Sequence, residues 1–242
     1  MNLLKVKNLC KSFGGLKAVD SLDFIVAKGE IVGLIGPNGS GKTTTLNLLT
    51  GFLKPDAGSI LFDGNEIAGC PRCHVCRNGV ARTFQLIKPF LEFTVIQNVM
   101  VGRVYGQNPT KNLKDAASQS LEILEKVDLL EKAEALARDL TLMERKRLEL
   151  ARALAARPKL LLLDELMAGL NHGEAEDAMQ TIRDIRNSGV TVLIVEHIVK
   201  AIMGLSDRII VLNMGEKIAE GTPRKIIHDS HVIEVYLGKA HA

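Results

Sequence analysis

A glycine-rich segment at residues 36–43, GPNGSGKT, fits the pattern G-x-x-x-x-G-K-[S/T] of loops that bind nucleotide phosphates. Its small residues let backbone N–H groups close around phosphate oxygens, and the start of a following helix adds partial positive charge. Lys42 supplies a full charge to the phosphates, and the Thr43 hydroxyl is a ligand for Mg²⁺. The candidate phosphate-binding residues are Gly36, Pro37, Asn38, Gly39, Ser40, Gly41, Lys42, Thr43 and Thr44.

A second segment, LLLLDE at residues 160–165, is an apolar run that ends in two acids. A buried strand would deliver Asp164 to its polar end, where the carboxylate can hold Mg²⁺ through water. Glu165 then lies where it can act as a general base on an attacking water. Two acids after an apolar run are a weak signal alone, but together with the phosphate loop they indicate nucleotide hydrolysis.

Short apolar runs and helical spacings alternate along the chain, which indicates a parallel α/β sheet. We expect a P-loop NTPase core with a mostly parallel sheet, an N-terminal antiparallel β segment and an inserted helical subdomain. The expected division is a single domain over 1–242, with 1–89 and 157–242 as the core and about 90–156 as the helical subdomain. Within that block, residues 114–127 place Ala117, Leu121, Leu124 and Val127 on one predicted helix face.

Composition limits the classes of protein that this chain could be. Of its 242 residues, 31 are lysine or arginine and 28 are aspartate or glutamate, so the net charge of +3 gives no reason to expect nucleic acid. No apolar run approaches the roughly 20 residues needed to cross a bilayer. Four cysteines, three of them close together, do not suggest a secreted disulfide scaffold. We expect a chain in the reducing cytoplasm, and any membrane work must be done through a partner.

The order and spacing of motifs over about residues 3–238 resemble the ABC (ATP-binding cassette) ATPase family. Gln85, in RTFQ at 82–85, resembles that family's Q-loop glutamine, and His197, in VEH at 195–197, resembles its switch histidine. Residues 168–171 (AGLN) resemble its D-loop, and residues 140–144 (LTLME) occupy its signature position. Phe13 stands where the family places an aromatic ring against adenine.

This resemblance implies ATP and Mg²⁺ as cofactors, with Gln85, Glu165 and His197 as catalytic residues. It adds Gln85 to Thr43 and Asp164 as metal ligands. The residues alone leave other interpretations open, because Phe13 could be a core residue, Gln85 a surface amide and His197 a satisfied histidine at a strand end.

The signature position departs from the family's usual Leu-Ser-Gly-Gly-Gln. Thr141 keeps the hydroxyl and is a candidate contact to the ATP of a partner subunit, whereas Met143 replaces a glycine and Glu144 adds negative charge. Thr141 and Glu144 also form the pattern of a capping box that starts a helix over 144–156. Both interpretations can hold together. Leu166 replaces the proline that commonly follows the two acids.

Three further segments have a functional and an ordinary interpretation. Cys70, Cys73 and Cys76 could bind zinc, but their spacing also fits one helix after Pro71. The basic run at 145–147 (RKR) is interpreted as a solvated helix face rather than a nucleic-acid patch. Residues 86–91 (LIKPFL) form an apolar stretch on which a helix of a membrane subunit could dock.

The residues in these motifs are similar to those in the ATPases of branched-chain amino-acid importers. This holds for RTFQ, AGLN and VEH and for the tail VIEVYLG at 232–238. The resemblance implies transmembrane permease subunits, a second ATPase subunit (a homologous chain or a second copy) in a head-to-tail dimer, and a solute-binding protein acting indirectly. It places the chain peripherally at the cytoplasmic face of the membrane. The tail also resembles lipopolysaccharide-export ATPases, so an envelope lipid exporter remains an alternative, as does a non-transport ABC ATPase.

Overall fold

The computed structural model describes residues 1–85 and 88–237, and the chain divides into two compact units. One unit combines residues 1–75 with the chain from 191 onward, and the other comprises 76–190. None of the helices in the described part of the chain has the length and apolar character of a membrane span.

The elements are numbered in chain order. The strands are β1 (Asn2–Phe13), β2 (Leu16–Ala27), β3 (Ile31–Ile35), β4 (Ala57–Phe62), β5 (Asn65–Glu66), β6 (Val80–Arg82), β7 (Leu160–Asp164), β8 (Thr191–Val195), β9 (Arg208–Asn213) and β10 (Glu216–Gly221). The α-helices are α1 (Lys42–Leu49), α2 (Arg72–Arg77), α3 (Val95–Tyr105), α4 (Leu113–Lys126), α5 (Leu142–Ala155), α6 (His172–Asn187), α7 (Val199–Leu205), α8 (Pro223–Ile226) and α9 (Ser230–Leu237). Short 3-10 turns lie at Leu130–Lys132 and Ala137–Asp139.

The first unit contains an antiparallel sheet and a mainly parallel one. Strands in the order β2-β1-β4-β5 pair antiparallel, which confirms the predicted N-terminal β segment. In the other sheet, β3 pairs parallel with both β8 and β9, and β10 pairs antiparallel with β9. Strand β3 is apolar and buried along nearly its whole length, as expected for a central parallel strand.

The second unit contains a short parallel pair, β6 and β7, and helices α3, α4 and α5, which pack on one another. Every residue of β7 is buried. Arg103 of α3 is also buried, and its guanidinium donates to the Gln119 side chain at 2.7 Å and to the Ala155 carbonyl at 3.0 Å. These bonds tie α3 to α4 and to the end of α5.

The predicted buried face of α4 is confirmed at Leu124 and Val127 but not at Ala117 and Leu121. Ala116, Ser120 and Leu124 are buried, whereas Leu121 is exposed. A serine can occupy the buried face because its hydroxyl donates to the Ala116 carbonyl at 2.6 Å, so no polar group is left unsatisfied. The apolar spacing therefore identified the helix and the buried residues at its C-terminal end, but not those in its first turns.

Candidate nucleotide-binding site

The phosphate loop of the first unit runs from the end of β3 to the start of α1. Gly41 is the N-cap of α1, so the loop leads directly into a helix N-terminus with its partial positive charge. The loop is closed on itself by a bond from the Ser40 N–H to the Pro37 carbonyl, at 3.2 Å. The Gly215 N–H donates to the Ser40 carbonyl at 3.1 Å, which fixes the loop to the turn before β10.

Two glycines of this loop have no room for a side chain. A Cβ at Gly36 (φ +153) would lie 2.2 Å from the Leu212 carbonyl oxygen, and one at Gly41 (φ +101) would lie 2.4 Å from that of Ala18. Both contacts are with backbone atoms, which cannot move aside as a flexible side chain can. The shape of the loop thus depends on glycine at both positions.

Lys42 is buried, and its ammonium lies against the loop itself. Its Nζ donates to the Gly36 carbonyl at 2.7 Å and to the Pro37 carbonyl at 2.9 Å, and lies 3.5 Å from the Ser40 hydroxyl. These are neutral acceptors, and phosphate oxygens would form stronger, charge-assisted bonds with the same ammonium. Thr43 beside it is exposed and Thr44 is half-buried.

Two other candidates belong to the first unit. Phe13 ends β1 with 48% of its surface exposed, which is not the burial of a core residue, and the Lys11 ammonium lies 5.8 Å from its ring centre. His197 is exposed and follows β8 after the buried Glu196. The first unit therefore offers the Phe13 ring, which a flat ligand can contact, and the His197 imidazole at the end of a central strand.

In the second unit, Asp164 forms a buried ion pair that sequence reasoning missed. Arg82 Nη2 lies 2.7 Å from Asp164 Oδ2, and both side chains are about 5% exposed. The Asp164 N–H donates to the Thr83 hydroxyl at 3.3 Å. The sequence gives one indication of this ion pair, the position of Arg82 in the family motif RTFQ. A lone arginine does not by itself predict a buried partner.

Gln85 and Glu165 are brought together in the same unit. Gln85 Nε2 donates to Glu165 Oε2 at 2.8 Å. Glu165 adopts a left-handed backbone conformation, with φ of +50, which is costly for a residue with a side chain. The candidate base therefore lies at a sharp turn after β7, and the candidate Q-loop glutamine holds its carboxylate.

The signature position forms the predicted capping box at the start of α5. Thr141 is the N-cap, its hydroxyl accepts from the Glu144 N–H at 3.3 Å, and its own N–H donates to Glu144 Oε2 at 2.8 Å. The bond from the Thr141 backbone lowers the pKa of the Glu144 carboxyl below its usual value, so that side chain is ionised at neutral pH. The capping interpretation is confirmed, and a contact from Thr141 to a partner's ATP stays a prediction.

The interpretation of the basic run at 145–147 as a solvated helix face is wrong for Lys146. Its side chain is buried, and its ammonium donates to the carbonyls of Leu166, at 2.6 Å, and Ala168, in the segment that resembles a D-loop. Met143 and Leu166, two of the departures from the family pattern, line one small cavity of about 30 Å³ beside Lys146. Helix α5, which begins at the signature position, therefore contacts the D-loop segment through Lys146.

The predicted docking stretch is described only in part, because Leu86 and Ile87 lie outside the described residues. Phe90 and Leu91 are each close to half exposed. Asn98 holds the Phe90 backbone by accepting from its N–H at 2.9 Å and donating to its carbonyl at 3.0 Å. Two apolar side chains are thus presented to solvent on a fixed backbone.

Helix α2 contains Cys73 and Cys76, which confirms a helix after Pro71, but Cys70 lies before it. Within the described ranges, no group of three or more histidine, cysteine or acidic side chains is arranged to hold a metal ion.

Several known proteins and two family models are similar to this chain. A family model described as "ABC transporter" matches residues 19–168, and one described as "Branched-chain amino acid ATP-binding cassette transporter" matches 216–242. The chain is 42% identical to the high-affinity branched-chain amino acid transport ATP-binding protein LivG of Escherichia coli, covering 98% of each chain. A cassette in its ADP conformation, MJ1267, superposes with a TM-score of 0.89 at 32% identity, covering 99% of this chain and all of that one. The dimeric cassette MJ0796 superposes with a TM-score of 0.83 at 26% identity, covering 91% and 99%.

Proposed function

Because the chain belongs to the ABC transporter family, as an ATP-binding and ATP-hydrolysing subunit, we propose that it powers the import of branched-chain amino acids through membrane-spanning permease subunits. We base the assignment of branched-chain amino acids as the substrate on the similarity to LivG over 98% of this chain. LivG is named as a branched-chain amino acid transport protein. The second family model supports the same class, since it matches the C-terminal residues 216–242.

We assign the nucleotide phosphates to residues 36–44. Lys42 would exchange the carbonyls of Gly36 and Pro37 for phosphate oxygens, which are charged and therefore stronger acceptors. The backbone N–H groups at the start of α1 would add to this attraction. The half-exposed ring of Phe13 would stack on adenine.

The residues proposed to hold Mg²⁺ fit that ion chemically. Mg²⁺ takes oxygen ligands and keeps several waters, and the candidates offer the Thr43 hydroxyl, the Gln85 amide oxygen and the Asp164 carboxylate. Gln85 directs its amide nitrogen to Glu165, so the bond to the base does not use the amide oxygen. When bound, Mg²⁺ neutralises charge on the β- and γ-phosphates.

We assign hydrolysis to three side chains, those of Glu165, Gln85 and His197. Glu165 accepts a proton from the attacking water as general base, and its bond to Gln85 holds the carboxylate in place before nucleotide arrives. His197 donates to the γ-phosphate. Thr141 at the N-terminus of α5 would contribute to the ATP held by a second ATPase subunit, as the family resemblance implies.

The assembly proposed around this chain is a head-to-tail dimer of ATPase subunits, peripheral at the cytoplasmic face of the membrane. Dimers are known for the similar cassette MJ0796. Phe90 and Leu91 are the exposed apolar residues on which a permease helix would dock. A solute-binding protein would deliver the amino acid to the permease without touching this chain.

Reconstitution with the co-purified permease subunits tests the proposal. We expect ATP-dependent uptake of leucine into proteoliposomes that have the nucleotide on the side of this chain. The Lys42→Ala variant should lose Mg-ATP binding by at least about 100-fold and lose uptake with it, because it removes the main side-chain charge on the phosphates. Lys126→Ala, an exposed lysine of α4, is the matched control. ATP turnover stimulated by an envelope lipid and not by leucine would contradict the importer.

A further inference from the structure

Arg82 bonds directly to a carboxylate that the proposed function assigns to Mg²⁺. Its Nη2 lies 2.7 Å from Asp164 Oδ2, and the two side chains are 5% and 6% exposed. A hydrogen bond between charged groups is short and strong, and burial protects it from water. A carboxylate can accept through either oxygen, so Oδ1 can accept from a water bound to Mg²⁺. The ion pair is therefore compatible with the metal, and it fixes the direction in which Asp164 presents its second oxygen.

The backbone beside this ion pair is held by the parallel strands β6 and β7. Arg82 lies opposite Leu162 in their register. One residue later, the Thr83 N–H donates to the Leu162 carbonyl at 2.9 Å, and the Thr83 hydroxyl accepts from the Asp164 N–H at 3.3 Å. These contacts fix the backbone of Asp164 but do not limit rotation of its side chain. The bond from Arg82 limits that rotation.

The guanidinium of Arg82 has a second contact that keeps it in place. Its central carbon lies 5.1 Å from the centre of the Phe84 ring, within the range of a cation–π interaction. Phe84 directly precedes Gln85, whose amide nitrogen donates to Glu165 at 2.8 Å. The segment from Arg82 to Gln85 therefore bonds to both of the adjacent acids, Asp164 and Glu165.

We propose that Arg82 is a positioning residue for Mg²⁺, which turns the Asp164 carboxylate toward the metal without binding the metal itself. The proposal rests on the proposed function, since it takes Asp164 as a residue that holds Mg²⁺ beside ATP. Loss of such an outer partner commonly lowers metal affinity by about 10- to 100-fold. An arginine also repels a cation, so the proposal requires that its effect on the direction of the carboxylate exceed this repulsion.

The Arg82→Lys variant separates direction from charge. Removing the charge altogether would leave a buried carboxylate without its cation, which is strongly destabilising. Lysine keeps the charge, and with it the repulsion of the metal, but replaces the planar guanidinium with an ammonium on a flexible stem. Arg138→Lys is the matched control, because Arg138 pairs with Glu92 at 3.0 Å on the surface of the same unit.

Calorimetric titration with a non-hydrolysable ATP analogue measures the effect. The quantity is the magnesium gain, defined as the ratio of the Kd in EDTA to the Kd in Mg²⁺. We expect Arg82→Lys to reduce the magnesium gain by about 3- to 10-fold, less than the loss of a whole partner because the charge is kept. The Kd in EDTA should change less than about 2-fold, because the phosphate loop is unaltered. Arg138→Lys should change neither quantity.

A double variant shows whether Arg82 acts through Asp164. Asp164→Asn removes the charge of the carboxylate but keeps an oxygen that can accept from Arg82. In that background, adding Arg82→Lys should lower the magnesium gain by less than about 1.5-fold, since two residues that act as a unit are not additive. Electron paramagnetic resonance of Mn²⁺, added with the analogue, reports the metal itself, and its apparent Kd should follow the same pattern.

Three results would overturn the positioning role. An unchanged magnesium gain in Arg82→Lys, with only a lower melting temperature, would make the arginine purely structural. A larger gain would show that the arginine hinders the metal. Equal losses with Asp164 and with asparagine in its place would assign the effect of Arg82 to another group. The proposed function fails separately, if the unaltered chain binds the analogue no better than Lys42→Ala does.

Discussion

At the scale of single residues, candidate site residues are held by hydrogen bonds within their own unit. Lys42 donates to carbonyls of its own loop, and Glu165 accepts from Gln85. The Glu165 carboxylate is therefore oriented before a substrate binds, whereas Lys42 would exchange its carbonyl partners for phosphate oxygens. The left-handed backbone at Glu165 indicates that the turn after β7 stores strain in order to place this carboxylate.

Replacing Glu165 with glutamine separates binding from chemistry. Glutamine is nearly isosteric but cannot accept a proton, so we expect ATP turnover to fall by about 100-fold or more while ATP still binds. Glu125→Gln, an exposed change on α4, is the control. Single-turnover hydrolysis and equilibrium binding measure the two quantities. Turnover near the normal rate in Glu165→Gln would show that another group is the base.

At the scale of elements, helix α5 connects the segments that resemble the family's functional loops. Its first residues form the capped signature, and Lys146 donates to the D-loop segment. Burial raises the pKa of the Glu149 carboxyl, while Arg152 and the Phe84 backbone, next to Gln85, act against that shift. Arg152 also donates to the Lys88 carbonyl at 3.2 Å. One helix thus contacts the D-loop and both sides of the Q-loop.

Removing the charge of Lys146 should loosen the D-loop segment. Lys146→Met keeps the length of the side chain but leaves the carbonyls of Leu166 and Ala168 without their donor. We expect a loss of about 1–3 kcal/mol in the free energy of unfolding. Amide hydrogen exchange should become faster at Ala168 and Leu170.

Lys126→Met is the control for this change, because that lysine is exposed on α4 and its replacement should stay within about 0.5 kcal/mol. Denaturant unfolding and exchange rates measure both variants. Unchanged exchange at Ala168 in Lys146→Met would show that the lysine does not hold this segment.

Elements were more predictable from the sequence than their side-chain environments. Residues 31–35 and 191–195 form strands with the predicted bounds, because buried apolar runs between turn residues have few alternatives. The start of α5 followed from its capping box. Arg82 and Lys146 were missed because isolated charges are normally solvated, and their burial depends on partners about 80 and 20 residues away along the chain.

At the scale of the whole molecule, the altered signature matters only when two ATPase subunits pair. In the proposed head-to-tail dimer, the phosphate loop of this chain meets the partner's signature, and residues 140–144 meet the partner's ATP. Lys132 lies 3.7 Å from Glu144 but is largely exposed, so it offsets little of the negative charge there. If the partner has an intact signature, the site that uses Lys42 and Glu165 should therefore be the faster of the two.

Restoring the usual residues tests this asymmetry. Glu144→Gln keeps a side chain that can complete the capping box, and Met143→Gly removes the side chain in the first turn of α5, at a cost of about 1 kcal/mol in helix stability. We expect the double variant to raise turnover at the partner's site, measured in a dimer whose Glu165 is replaced by glutamine. Met143→Ala with Glu144 retained is the control, because it removes the bulk of methionine while the carboxylate stays. If the double variant brings no gain, the carboxylate that caps Thr141 does not hinder hydrolysis, and residues 140–144 are a working signature whose ionised Glu144 serves to start α5.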